Sequence, residues 1–173
     1  TLRIWDSASG AEVMQIPIAG IGSSIRFSKD ATHLVVGDYD GHITLLDLSN
    51  LKARTGFVPF SEFVHKALYS PDGRWLAINP DDRNVWLINS DQLGKTPDER
   101  KSLVLTNGLT SDMVVSADSN WIAVVEEDEN FSSYNRVVLM KADGGKKYFL
   151  PHDGNVIDAA VFTPDSKQVI TSD

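Results

Sequence analysis

The chain of 173 residues has no cysteine, which excludes disulfides, thiolate zinc sites and cysteine nucleophiles. This absence suits reducing and oxidising compartments equally. It also lacks any apolar run near the ~20 residues that span a bilayer. The best candidate, Val114 to Val125, is interrupted by Ser116, Asp118, Ser119 and Asn120. No signal pattern opens the chain, which begins on Thr1 and leaves room for a native start upstream. Cations are scarce: 16 Lys and Arg against 24 Asp and Glu give a net charge of −8. Nucleic acid and anionic lipid both require clustered cations, so neither is expected as a partner.

Signatures of catalysis are missing too. There is no Gly-x-Ser-x-Gly elbow to carry a hydrolase nucleophile. Gly20-Ile21-Gly22 opens a strand and lacks the third glycine of a dinucleotide fingerprint, and Gly94-Lys95-Thr96 lacks the upstream glycine of a phosphate loop. His33, His42, His65 and His152 are scattered, with no His-x-x-x-His pair to hold zinc. Asp38 and Asp40 offer oxygens at alternate positions, as calcium loops do. Gly41 comes too early for such a loop and no acidic residue closes it, so the segment reads as a hairpin corner. No catalytic residue, metal or cofactor is expected.

What the chain does contain is a repeated phrase: Phe27-Ser28-Lys29-Asp30-Ala31, Tyr69-Ser70-Pro71-Asp72-Gly73, Val115-Ser116-Ala117-Asp118-Ser119 and Phe162-Thr163-Pro164-Asp165-Ser166. The intervals between its aspartates are 42, 46 and 47 residues, a period that marks stacked supersecondary units. Each phrase ends one short apolar strand and supplies a tight turn, in which Pro fixes φ and Gly tolerates a positive φ. A second apolar strand follows, as in Trp75-Leu76-Ala77-Ile78 and Trp121-Ile122-Ala123-Val124. Third strands are read at Ile43–Leu46, Val85–Ile88 and Val137–Met140. Weaker fourth strands are read near Thr55–Val58, Ser102–Thr106 and Lys147–Leu150. A helical turn is read only near Pro97–Arg100. Short β-branched strands bounded by Gly, Asp, Asn and Pro predict an all-β fold. Continuous apolar second and third strands predict sheets covered on both faces, and four-stranded sheets repeated radially make a β-propeller.

Thr1-Leu2-Arg3-Ile4-Trp5-Asp6 resembles the strand that names the WD40 repeat. Asp40–Asp47 is similar to that family's turn and third strand, with Leu46 where Trp is usual. His152 to Asp173 looks like the opening half of a repeat. The resemblance implies about four four-stranded antiparallel blades, which either form part of a larger ring or close into a ring of four where the termini join. The division is 1–18 for the end of one blade, 19–60, 61–107 and 108–150 for blades, and 151–173 for the first half of a blade. It also implies a His–Ser/Thr–Asp–Trp relay that staples each blade. Here one relay would join His152 and Thr171 or Ser172 to Trp5 only if the two ends meet. Matched positions of Trp75 and Trp121, and of Trp5 and Trp86, favour packing over ligand stacking.

In a propeller, connections between strands two and three share a face with those between blades. That face collects Asp38, Asp40, Glu62, Asp81, Asp82, Glu126, Glu127, Asp128, Glu129 and Asp153 against Arg83 and Lys66, while the opposite face is mixed in sign. With Phe131 and Tyr134 as aromatic anchors, these acidic residues are read as a partner-binding rim for a basic protein segment. The resemblance implies a non-catalytic, cytoplasmic scaffold for protein–protein interaction, with self-association as a way to complete the ring. Its rivals are a propeller-type hydrolase and a periplasmic accessory propeller.

Overall fold

A computed structural model describes residues 1–57, 63–80, 84–93, 102–104, 109–127, 136–152 and 157–172. Strands β1 (Leu2–Trp5) and β2 (Glu12–Ile16) form an antiparallel pair. The first four-stranded sheet runs β3 (Gly22–Phe27), β4 (His33–Asp38), β5 (His42–Asp47) and β6 (Lys52–Phe57), in that order. The next holds β7 (Val64–Tyr69), β8 (Trp75–Pro80), β9 (Trp86–Asn89) and β10 (Ser102–Val104). A third holds β11 (Leu109–Val115), β12 (Trp121–Glu127), β13 (Arg136–Lys141) and β14 (Lys147–Pro151). Strands β15 (Ala159–Phe162) and β16 (Val169–Ser172) close the series as another pair. Every pairing between these strands is antiparallel and joins neighbours in sequence, as an up-and-down blade requires.

The apolar strands are buried on both faces because successive side chains point opposite ways. In β4, Leu34 and Val36 pack with Leu2 and Ile16 of the preceding pair, whereas Val35 packs toward Val64, Leu76 and Ile78 of the following sheet. In β8, Leu76 and Ile78 face back, while Trp75 and Ala77 face forward onto Met113, Ile122 and Val124. In β12, Ala123 and Val125 turn to Ile157 and Ala160. Four apolar clusters thus join five sheets in a row, each inner sheet shared by two neighbours. Fully burying one such aliphatic side chain contributes about 1.5–3 kcal/mol.

The repeated phrase builds one device four times. Ser28 Oγ donates to Asp30 at 2.6 Å and accepts from His33 N at 3.0 Å. Ser70 with Asp72 and Trp75, Ser116 with Asp118 and Trp121, and Thr163 with Asp165 and Gln168 repeat the pattern. The Ser28 hydroxyl, followed by the Thr32 N–H and hydroxyl, brings the Asp30 carboxyl down from its ordinary 3.8 to about 2. The Thr163 hydroxyl likewise lowers that of Asp165. The last residue of the phrase has positive φ in every copy: Ala31 (55°), Gly73 (72°), Ser119 (63°) and Ser166 (60°). Gly is therefore not required for the turn, although only Gly adopts that backbone without steric cost.

Several expectations shift. The tryptophans do not share one environment: Trp75 is buried, Trp86 and Trp121 are half-buried, and Trp5 is 55% exposed. Trp5 lies on β1, which pairs with β2 alone among the described strands. The β1–β2 and β15–β16 pairs are separate sheets, which leaves Trp5 apart from the His152 relay. Half of that relay is nevertheless formed, with Thr171 Oγ1 3.1 Å from His152 Nε2. The Pro97–Arg100 turn lies outside the described residues, and a 3-10 turn occupies Ser90–Gln92.

Candidate interaction face

The β4–β5 corner, the segment entering β3 and the segment entering β7 meet on one face of the molecule. Asp38, the last residue of β4, is only 2% exposed. Its Oδ1 accepts from the backbone N–H of Asp40 at 3.0 Å and of His42 at 2.8 Å, closing the corner. The His42 ring also lies against it, with Nδ1 3.1 Å from Oδ2. The chain ahead of β3 presses on this corner: a Cβ on Gly20 would sit 2.7 Å from an Asp38 oxygen and nearer still to one of Asp40. A side chain at position 20 would force the Asp38 and Asp40 carboxylates to shift. The candidate ligand atoms of Asp38, Asp40 and His42 lie within 4.8 Å of one another, yet Asp38 is already engaged by the turn it closes.

Asp40 itself is exposed, as is Tyr39 beside it. Tyr39 stacks on Phe63 with ring centroids 4.5 Å apart, and Phe63 meets His65 edge-on at 4.2 Å. Backbone bonding fixes this tier, because Tyr39 N donates to Ile21 O at 3.0 Å. The aromatic step spans two adjacent sheets, and the carboxylate of Asp40, next in sequence, lies beside Asp38 and His42.

The residues singled out in the sequence therefore divide. Asp40 stands at the surface. Asp38 is internal. Glu126, 4% exposed, is also internal: it is paired across β12 and β13 with Arg136, whose Nε donates to it at 2.6 Å. Arg136 in turn lies 4.6 Å over the Phe149 ring. Asp38 and Glu126 thus brace the face from within rather than presenting charge to a partner, since a carboxylate already held by donors in a buried site is unavailable at the surface. Glu127 ends β12. Glu62, Asp81, Asp82, Arg83, Asp128, Glu129, Phe131, Tyr134 and Asp153 lie outside the described residues. The Tyr39–Phe63–His65 tier is not legible in the sequence, because stacking across two sheets leaves no local pattern. Its one signal is an aromatic residue at the tip of a polar corner.

Among the described residues no helix is long and apolar enough to cross a membrane. No protein-family model matches the chain. The serine-threonine kinase receptor-associated protein of Gallus gallus is 31% identical over 88 residues, which is 50% of this chain and 25% of that protein. An uncharacterised WD repeat-containing protein of Synechocystis is 29% identical over 157 residues, covering 88% of this chain and 41% of that one. The chain thus spans well under half the length of these relatives. Among solved structures, the β-propeller domain of Cps50 (Swd1) from Myceliophteria thermophila superposes with a TM-score of 0.75 at 14% identity, over 98% of this chain and 54% of that one. Sheets that share apolar faces with their neighbours, a turn phrase repeated four times and these likenesses agree: the chain folds as a row of β-propeller blades, and its repeats are similar to those of WD repeat proteins.

Proposed function

We propose that the chain is a rigid, non-catalytic platform for protein–protein interaction whose acidic loop face receives a basic protein segment. The observation that carries this reading is the exposure of Asp40 directly after Tyr39, which begins the stacked Tyr39–Phe63–His65 tier. A carboxylate beside an aromatic face offers a Lys or Arg side chain both an ion pair and a cation–π contact. In the sequence, Asp81, Asp82, Asp128 and Glu129 take the matching places of the repeat, with Phe131 and Tyr134 proposed as anchors, and the net charge of −8 favours a cationic partner. Self-association is the second contact of interest. Trp5, Ile25 and Phe27 are exposed around an apolar cavity of about 360 Å³ beside β1, and sedimentation over a range of concentrations reads whether copies associate there.

The test is a fluorescence titration with a dye-labelled peptide rich in Lys and Arg, repeated from low to high salt. Affinity should fall as salt rises, and Asp40→Lys and Tyr39→Ala should each weaken it. Binding that ignores both salt and Asp40→Lys overturns the assignment.

A further inference from the structure

The first strands of the four consecutive repeats converge on a single cavity of about 450 Å³, whose mouth is rimmed by the Ser-x-Asp turns. Two positions of the repeat build its wall. The residue before the phrase is Leu68, Val114 and Val161 in three repeats, and the residue after the turn hydroxyl is Pro71, Ala117 and Pro164. In the β3 repeat both positions change together, to Arg26 and Lys29. An apolar mouth thus carries two cations, both from one blade.

Neither cation is neutralised by a carboxylate among the described residues. The Arg26 guanidinium donates to its neighbour's backbone, Ile25 O, at 2.8 Å. The Lys29 ammonium donates to Ala117 O of the β11–β12 turn at 3.4 Å. The third cation of the wall, Lys66, differs: it has an ion-pair partner in Asp112. In a chain with more acids than bases, a cation that serves only the fold readily finds such a partner, as Lys66 does. Arg26 and Lys29 instead keep their charge available at the mouth.

We propose that this mouth binds an apolar protein segment carrying one or two carboxylates, its side chains against Leu68, Val114, Val161 and the rim prolines and its carboxylates on Arg26 and Lys29. The wall is apolar, so an apolar residue gains by burial there. The two unpaired cations select a nearby carboxylate. A polyanion is the wrong occupant, because two cations cannot offset its repulsion from a chain of net charge −8. The Ser-x-Asp turns at its rim lie at the other end of the strands from the β4–β5 corner, and the mouth takes a partner of opposite sign, so the two proposals stand or fall separately.

The experiment titrates the full chain with a dye-labelled peptide of Leu and Phe that carries two Glu residues. Saturable binding is expected, and Arg26→Glu with Lys29→Glu should weaken it roughly tenfold. Asp40→Lys, on the other face, should leave it unchanged. Arg26→Gln with Lys29→Gln is a milder variant at the same exposed positions, and thermal melts confirm that both variants fold. Absence of saturable binding, equal binding by the charge-reversed variant, or tighter binding of an oligonucleotide of equal length overturns the proposal.

Discussion

The β7–β8 and β11–β12 turns are one motif built with a different last residue. Inside each turn the bonding is equivalent, with the hydroxyl 2.7 Å from Asp72 in one and 2.6 Å from Asp118 in the other. Gly73 takes its φ of 72° without cost, and a Cβ there would meet nothing within 4 Å. Ser119 takes 63° with a side chain, a conformation that costs roughly 1–2 kcal/mol. What Ser119 gains is a stitch between blades: its hydroxyl accepts from Asp72 N at 3.0 Å, and its carbonyl accepts from Trp75 Nε1 at 3.2 Å. Ser166 does the same one blade on, accepting from Asp118 N at 3.0 Å. The difference shows that a residue locally wrong for its turn is retained where its side chain ties two sheets together.

The most severe way to break this comparison is Trp75→Ala. Trp75 is 7% exposed, packs on the next sheet and bonds to the Ser119 carbonyl. Its loss should cost about 3–5 kcal/mol in urea unfolding. Trp121, its half-buried counterpart one repeat on, should cost clearly less. Equal losses would mean that the stitched junction contributes nothing beyond apolar area.

The middle-sized test separates strain from stitch. Ser119→Ala keeps the left-handed backbone and removes the acceptor of the Asp72 N–H, for a loss of about 0.5–1.5 kcal/mol. Ser119→Gly removes the same acceptor but relieves the backbone, so it should lie roughly 1 kcal/mol above the alanine variant. In the converse direction, Gly73→Ser should cost less than Gly73→Ala if the new hydroxyl reaches the equivalent Asp30 N–H. Thermal melts of the four variants decide, and serine and alanine behaving alike at both positions would remove the stitch from the account.

The smallest effect is a dependence on acid. A carboxyl whose folded value lies below its unfolded one adds stability above the unfolded value, near 3.8, and loses it as pH falls through the folded value. For Asp30 that window runs from 3.8 to about 2. Unfolding midpoints should therefore decline across this range, and the decline should be shallower in Asp30→Asn. An unchanged slope would dissociate the turn aspartates from acid sensitivity.

Much of the fold is legible in the sequence because it is local. The Ser-x-Asp phrase, the apolar second strands and the Asp40-Gly41 corner are each written within ten residues or fewer. The strands form where those patterns place them, with β6 starting at Lys52 rather than near Thr55. The candidate site is much less legible. Asp38 and Asp40 are two residues apart and look alike as letters, yet one closes a buried corner and the other faces water. Glu126 reads as part of an acidic loop until Arg136, ten residues on, is seen beside it.

By itself the sequence determined that this chain makes short antiparallel sheets at a period in the forties, since strand alternation and turn chemistry act between near neighbours. Only the tertiary structure decided which charges are spent inside the blades, which tryptophan stands in water, and that Arg26 and Lys29 share an apolar mouth. Those outcomes depend on side chains from other repeats arriving within a few ångströms, a distance that no local pattern records.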